Sequence, residues 1–409
     1  MNMAANPYRA GAGHSPPHLA GRINEIAEFS DFLEQDTVAR NLILTGLRGV
    51  GKTVLMDDKY RPLAIQKGWA WVGSDFSESA FLTEINLCTR LLTDLSVFSS
   101  SLTVSQKTDG FGFSTGQAIT ERTLDFDFLL TLFQATPGLS SDRLKAVLEL
   151  VWKAAEHRGV RGIVFAYDES QVVSDNAEKD QYPLAVLLET FQSLQRKGCR
   201  YLLLLTGLPT LFPRLVESRT YAERMFAVQE IDRLDPDASR EAIEVPLAST
   251  SWSFSDESVA TVINTAQGYP YFIQFICRQA FDYMLANSGR PIPIEPIVRQ
   301  LDSNFFSGRW ETLTDRQREL LYVIAHLENA DNEFMIADIT SQSKQMDAVK
   351  KFSAGDVSQM LPRLIDKGLI FKNRHGKYSF AVPLFSGFIR RYVERQTYAQ
   401  MYQKTLLDK

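Results

Sequence analysis

The residues best suited to chemistry form one short run, Thr45-Gly46-Leu47-Arg48-Gly49-Val50-Gly51-Lys52-Thr53, directly behind the apolar stretch from Asn41 to Leu44. The spacing is Gly-x4-Gly-Lys-Thr. Glycines at its two ends let the backbone wrap closely around phosphate oxygens. Successive N–H groups and the N-terminus of a following helix supply the positive potential that holds them. Lys52 is placed to reach β- and γ-phosphates, and the Thr53 hydroxyl to meet Mg²⁺. Gly46, Arg48, Gly49, Val50, Gly51, Lys52, Thr53 and Val54 are the candidate contacts of a nucleoside triphosphate.

A second pattern points the same way. Gly162-Ile163-Val164-Phe165-Ala166-Tyr167-Asp168-Glu169 is a wholly apolar run ending in two carboxylates. Such a run suits a central parallel strand, and ligands sit at the carboxyl ends of these strands. This is the pattern of a Walker B strand. Asp168 is the candidate to hold Mg²⁺ through water, and Glu169 to orient or deprotonate an attacking water. Glutamate directly after aspartate argues for hydrolysis. The chain carries no Asn-Lys-x-Asp or Thr-Lys-x-Asp guanine-recognition segment, so ATP is favoured over GTP.

Positioning these groups requires an alternation of strands and helices. Apolar residues at helical spacing predict a helix from Ile23 to Leu33. Strands are expected at Asn41 to Leu44, Trp69 to Gly73, Gly162 to Tyr167, Tyr201 to Leu205 and about Phe226 to Ile231, with helical segments between them. This alternation means a parallel sheet. From about 96 to 126, Ser, Thr and Gly alternate with Phe111, Phe113, Ile119 and Leu124, which reads as a hairpin-like insertion. Residues 1–17 read as an extended, flexible arm rich in Gly, Ala, Pro and Asn. Past Leu234 the chain turns helical, with Asp237 or Ser239 as a first N-cap and a longer helix from Tyr271 to Leu285. Pro291, Pro293 and Pro296 then mark a connector.

The last part reads as helices at Thr314 to Leu327, around Met335 to Ser341 and Asp356 to Lys367, the last interrupted by Pro362. A hairpin follows, Gly368 to Phe371 and Lys377 to Phe380, turning through Asn373-Arg374-His375-Gly376. This is a winged-helix layout, which docks its third helix in the major groove and its hairpin beside the DNA backbone. Ser358, Gln359, Arg363 and Lys367 are expected on the exposed helix face, and Lys372, Arg374, His375 and Lys377 on the wing.

At 409 residues two or three domains are expected, and 44% hydrophobic with 23% charged residues suits a soluble globular chain. No apolar stretch approaches a membrane span, and the N-terminus lacks a signal-peptide layout, so a cytoplasmic protein without membrane partners is expected. Cys88, Cys199 and Cys277 are far apart, and the five histidines form no ligand cluster, so Mg²⁺ is the one metal implied. Residues 313–409 hold 15 Lys+Arg against 11 Asp+Glu, a net +4 that leaves −9 for the rest of a chain whose total is −5. The excess is mild, so duplex DNA and protein docking both stand as partners for this end.

Together these features resemble the AAA+/STAND-type P-loop ATPases of the archaeal ATPase and origin-recognition-like branch, over roughly residues 19–395. The resemblance implies an α/β fold with a P-loop NTPase parallel sheet, a helical lid domain and a C-terminal winged-helix domain. It divides the chain into an arm (1–17), an ATPase core (18–233), a lid (234–300) and a winged helix (301–409). Leu19-Ala20-Gly21-Arg22 with Glu25 is similar to the element that lies against adenine, implicating Gly21 and Arg22. Thr206, after the strand Tyr201 to Leu205, matches the residue that senses the γ-phosphate. Arg224 is the preferred arginine finger, ahead of Arg219 and Arg214. Gly268-Tyr269-Pro270-Tyr271 resembles the lid element whose proline, Pro270, packs near the nucleotide. No lid arginine matches the second sensor, Arg278 being only a loose candidate. The implied activity is a slow, Mg²⁺-dependent ATPase working as a switch, with a homo-oligomer or a protein partner among its expected assemblies. The alternatives are a DNA-binding regulator or loader and a nucleotide-gated scaffold.

Overall fold

The computed structural model describes residues 5–11, 14–73, 75–76, 83–108, 118–287, 292–347, 349–374, 376–394 and 396. The chain divides into two compact units, one of residues 22–46 and 52–231, the other of residues 1–21, 47–51 and 232–409.

The first unit is an α/β layer structure. Its strands are β1 (Asn41–Thr45), β2 (Trp69–Val72), β3 (Thr103–Thr108), β4 (Ala118–Thr123), β5 (Gly162–Tyr167), β6 (Tyr201–Gly207) and β7 (Phe226–Glu230). Five of them form one parallel sheet in the order β2-β5-β6-β1-β7. Every residue of β1, β5 and β6 is buried. That explains their unbroken apolar sequence, since strands covered on both faces have no solvent side to alternate toward. Each large side chain so buried, Phe165 or Leu203 for example, contributes about 1.5–3 kcal/mol. The register pairs Tyr167 with Leu205 and Thr45 with Gly207, so the ends of β1, β5 and β6 lie side by side.

The insertion is narrower than the sequence suggests. A helix capped by Thr83 runs from Glu84 to Ser99, because apolar residues at helical spacing, the buried Leu87, Leu91, Leu92 and Leu95, carry it past residue 96. Asp125 caps the next helix, Phe126–Ala135. Between them β3 and β4 pair antiparallel as a separate two-stranded sheet. Phe111 and Phe113 lie outside the described residues.

The second unit is mainly helical. Asp235, rather than Asp237 or Ser239, caps its first helix, Pro236–Leu247, accepting the Ala238 N–H at 2.7 Å. Helices Asp256–Ala266, Pro270–Ala286 and Ile294–Leu301 follow. No break falls at 300/301: helix Ile294–Leu301 continues through a π turn, Asp302–Ser307, into Gly308–Glu311. The reason is a shared core. The Phe306 ring lies 5.9 Å from Phe272, 5.8 Å from Phe385 and 5.2 Å from Phe388. The expected lid and C-terminal segments are thus packed around the same aromatic residues.

Helices Asp315–Ala325, Ile336–Gln345 and Ala354–Asp366 lead into the antiparallel pair β8 (Ile370–Arg374) and β9 (Lys377–Phe380). Capping boxes at Thr314/Gln317 and Ser353/Asp356 set the starts of the first and third. Pro362 does not interrupt the third helix. It sits on the exposed side, where water can satisfy the carbonyl that its missing N–H leaves. His375 and the Arg374 side chain lie outside the described residues.

The arm is not free. Tyr8 is buried at 2% exposure, and its hydroxyl donates to the Ile243 carbonyl at 2.5 Å. Its ring lies near Phe254 and Phe281. Asn6 donates to the Arg278 carbonyl and to Asp282, and the Arg9 N–H to Gln274. A short, glycine-rich composition hides one aromatic anchor. Among the described residues no helix is long and apolar enough to cross a membrane.

Candidate active site

In the first unit the chemistry gathers at the carboxyl ends of β1, β5 and β6. Asp168 follows β5 and is 4% exposed. One of its oxygens, Oδ2, accepts the Thr53 hydroxyl, and the other, Oδ1, accepts the Thr206 hydroxyl. Oδ1 also takes the Glu169 N–H at 2.7 Å. The pairing of Tyr167 with Leu205 puts Thr206 beside Asp168, and the parallel neighbour β1 delivers the loop that ends in Thr53. The strand end is fixed from behind. Tyr167 stacks on Phe76 at 4.0 Å and donates its hydroxyl to Asp94, which pairs with Arg90 at 3.0 Å. Burial pushes both the Tyr167 hydroxyl and the Asp94 carboxyl above their ordinary pKa values. Gly73 is required here: its φ is +124°, and a Cβ would lie 2.0 Å from the Ala166 carbonyl oxygen.

Lys52 opens the helix after the loop, and its ammonium donates to the Gly46 carbonyl at 2.9 Å. A phosphate oxygen is a stronger acceptor for that group. Thr53 Oγ and the Asp168 carboxylate form an all-oxygen donor set, which suits a hard cation such as Mg²⁺. The helix carries on through a π turn, Met56–Tyr60, before Arg61–Gln66. Such turns often accompany functional sites.

In the second unit the loop tip, residues 47–51, meets the N-terminus of helix Pro270–Ala286. Gly49 has φ +82°, and its carbonyl accepts the Tyr271 N–H at 3.3 Å. A Cβ on Gly49 would lie 3.2 Å from the Tyr271 Cβ. Gly51 has φ +96°. Val50 is buried and Val54 half-buried. Pro270 occupies the first turn of that helix, where its missing N–H costs nothing. Arg48 lies beside Gly368, and burial, with the Arg48 charge adding to it, holds the Arg309 guanidinium below its ordinary pKa.

The remaining expected residues are placed less centrally. Gly21, with φ +62°, packs against Ala238, which a Cβ would approach to 2.6 Å. Arg22 is buried in the first unit and pairs with Glu25 at 3.2 Å. Arg224 is exposed on a short helix, Ala222–Met225, and makes no ion pair among the described residues. Arg219 donates to the Ser218 carbonyl, and Arg214 to the Gln171 carbonyl at 2.6 Å. Arg278 is exposed. At the end of helix Ala354–Asp366, Lys367 is exposed, and its ammonium donates to the Thr312 carbonyl at 2.7 Å. Ser358, Gln359 and Arg363 are exposed, as is Lys372 on the hairpin.

Four residues at these sites escaped the sequence reading. Asp75 follows β2 and bridges to Asp168 through the backbone, and Asp57 lies on the π turn. Loss of hydration raises both carboxyls above their ordinary pKa, with the Asp168 charge adding to it. Gln171 donates its side-chain amide to Glu169, and Arg309 stands near Arg48. The signal for Gln171 was its place two residues past Glu169; the others carry no local pattern.

A family described as a domain of unknown function (DUF8462) matches residues 303–389. No curated protein matches the sequence. Among solved structures, the Walker-type ATPase of Pyrococcus abyssi is 16% identical with a TM-score of 0.59, covering 91% of this chain and 96% of that chain. The ADP form of the Aeropyrum pernix ORC2 protein is 12% identical with a TM-score of 0.54, covering 93% of this chain and 97% of that chain. The chain has the fold of these archaeal Walker-type and origin-recognition ATPases.

Proposed function

We propose that this protein binds ATP with Mg²⁺ on the loop from Gly46 to Thr53 and hydrolyses it. The observation that carries this reading is the convergence of the Thr53 and Thr206 hydroxyls on the two oxygens of Asp168, next to Glu169. When bound, Mg²⁺ neutralises charge developing on the phosphates. Thr53 contributes its hydroxyl oxygen to the cation, and Asp168 its carboxylate through water. The loop N–H groups and Lys52 hold the phosphates. Thr206 reports on the γ-phosphate from the end of β6. Glu169 takes the proton of attacking water. Arg22 is read as an adenine contact, Gly21 as the turn before it, and Pro270 as packing near the nucleotide. Arg224, exposed and in no ion pair among the described residues, is read as a finger offered to a second copy of the chain.

The lid and winged-helix segments, which share one core within residues 232–409, are read as one body moved by nucleotide. The Gly49–Tyr271 hydrogen bond ties the loop tip to the helix whose Phe272 shares the Phe306 core, which supports that coupling. Slow turnover suffices for such a switch, because ATP shifts the balance by its differential affinity for two arrangements.

A titration with a fluorescent ATP analogue tests the binding step. Affinity is expected to depend on Mg²⁺, to exceed that for the GTP analogue, and to be lost in Lys52→Ala. Equal binding by Lys52→Ala overturns the reading.

A second reading, duplex DNA as partner, draws on exposed Ser358, Gln359 and Arg363 on the third helix and exposed Lys372 on the hairpin. If it holds, DNA affinity falls steeply with salt and drops further in Arg363→Ala. Salt-independent or absent DNA binding leaves protein docking as the role of this end.

A further inference from the structure

We propose that Gln171 is a positioning residue for hydrolysis, its side-chain amide holding one oxygen of Glu169 so that the other is left for attacking water. The proposal rests on the reading of Glu169 as the group that takes the proton.

Glu169 is exposed, and an exposed glutamate on an ordinary backbone samples many rotamers. This one is constrained twice. Its backbone is left-handed, with φ 51° and ψ 32°, a conformation disfavoured for a residue with a Cβ. Its Oε2 accepts a hydrogen bond from Gln171 Nε2. The orientation of that amide is settled by its other end. Gln171 Oε1 accepts the Leu208 N–H at 3.2 Å, a group that can only donate, so the NH₂ must face Glu169. The Gln171 backbone is held as well, its carbonyl accepting Arg214 Nη1 at 2.6 Å. The space for the side chain exists because residue 207 is glycine: a Cβ there would lie 2.6 Å from Gln171 Oε1. Gln171 therefore ties the Glu169 carboxylate to the loop that directly follows Thr206.

Leu208, Arg214 and Gly207 hold Gln171 itself. Among the described residues, the one bond it makes toward the reacting groups is the donation to Glu169. Losing that donor should let the carboxylate swing away while leaving nucleotide contacts alone.

The test uses the full chain carrying Gln171→Glu, which keeps an oxygen for Leu208 but replaces the donor with a repelling oxygen, and Gln171→Leu, which removes both. ATP turnover, affinity for a non-hydrolysable ATP analogue, and amide exchange at Leu208 are measured. In Gln171→Glu, kcat should fall about tenfold or more, as expected when a reacting group is misplaced by about an ångström, with analogue affinity within about twofold. Exchange at Leu208 should stay slow in Gln171→Glu and quicken in Gln171→Leu. A kcat within about twofold of wild type in Gln171→Glu, or a loss of analogue affinity equal to the loss of kcat, overturns the proposal. Wild type that binds ATP without turnover removes the reading of Glu169 itself, a failure seen before any Gln171 variant is made.

Discussion

Replacing Thr206 with valine removes one hydroxyl and keeps the side chain's shape. Thr206 is fully buried and Asp168 is 4% exposed, so the lost hydrogen bond lies in a poorly hydrated place and ends on a carboxylate. Bonds to charged groups in such places contribute about 1.5–3 kcal/mol. Asp168 Oδ1 keeps the Glu169 N–H at 2.7 Å, so the carboxylate is not orphaned and the lower part of that range applies. The expected cost is about 1.5–2 kcal/mol, roughly a 10- to 30-fold shift in the opening equilibrium of the sheet. Native-state amide exchange measures it directly, as a matching loss of protection at the β5 and β6 amides. Thr206→Ser keeps the hydroxyl, so it should retain turnover while Thr206→Val loses it. Protection within about 0.3 kcal/mol of wild type in Thr206→Val, or equal loss of turnover in both variants, refutes the argument.

Tyr8→Ala empties a buried aromatic site and leaves the Ile243 carbonyl without that donor, so it should cost about 3–5 kcal/mol, read as lost exchange protection in helices Pro236–Leu247 and Pro270–Ala286 and not in the parallel sheet. Asp75 titrates above its ordinary value in the folded state, so its ionised form opposes folding and stability falls as pH rises through its folded pKa. Asp75→Asn should therefore raise Tm of the nucleotide-free protein at neutral pH, with the gain shrinking as pH approaches about 4. Arg224→Ala mixed with Glu169→Gln should recover turnover if the finger is supplied between copies, and an inactive mixture argues against that arrangement.

The parallel sheet was legible because continuous apolar runs such as Gly162–Tyr167 have one stable use, a strand covered on both faces. The loop and the acidic strand end were legible because phosphate and metal chemistry restrict residue types at short spacing. Asp75, Asp57 and Arg309 were not, since their proximity to Asp168 or Arg48 is created by folding across distant segments. Tyr8 was hidden by its company: one aromatic among glycines and prolines gives no period. The break expected near residue 300 failed for a related reason. Prolines mark a turn in the chain, but they do not reveal that Phe272, Phe306 and Phe385 share a core.

Steady-state ATP hydrolysis by wild type, Lys52→Ala and Glu169→Gln, with Mg²⁺ and over a range of protein concentration, tests the central claim most directly. The account predicts slow turnover by wild type, its loss in both variants, and analogue binding retained in Glu169→Gln alone. Wild type that binds ATP with Mg²⁺ but never hydrolyses it, or Glu169→Gln that turns over at the wild-type rate, contradicts it.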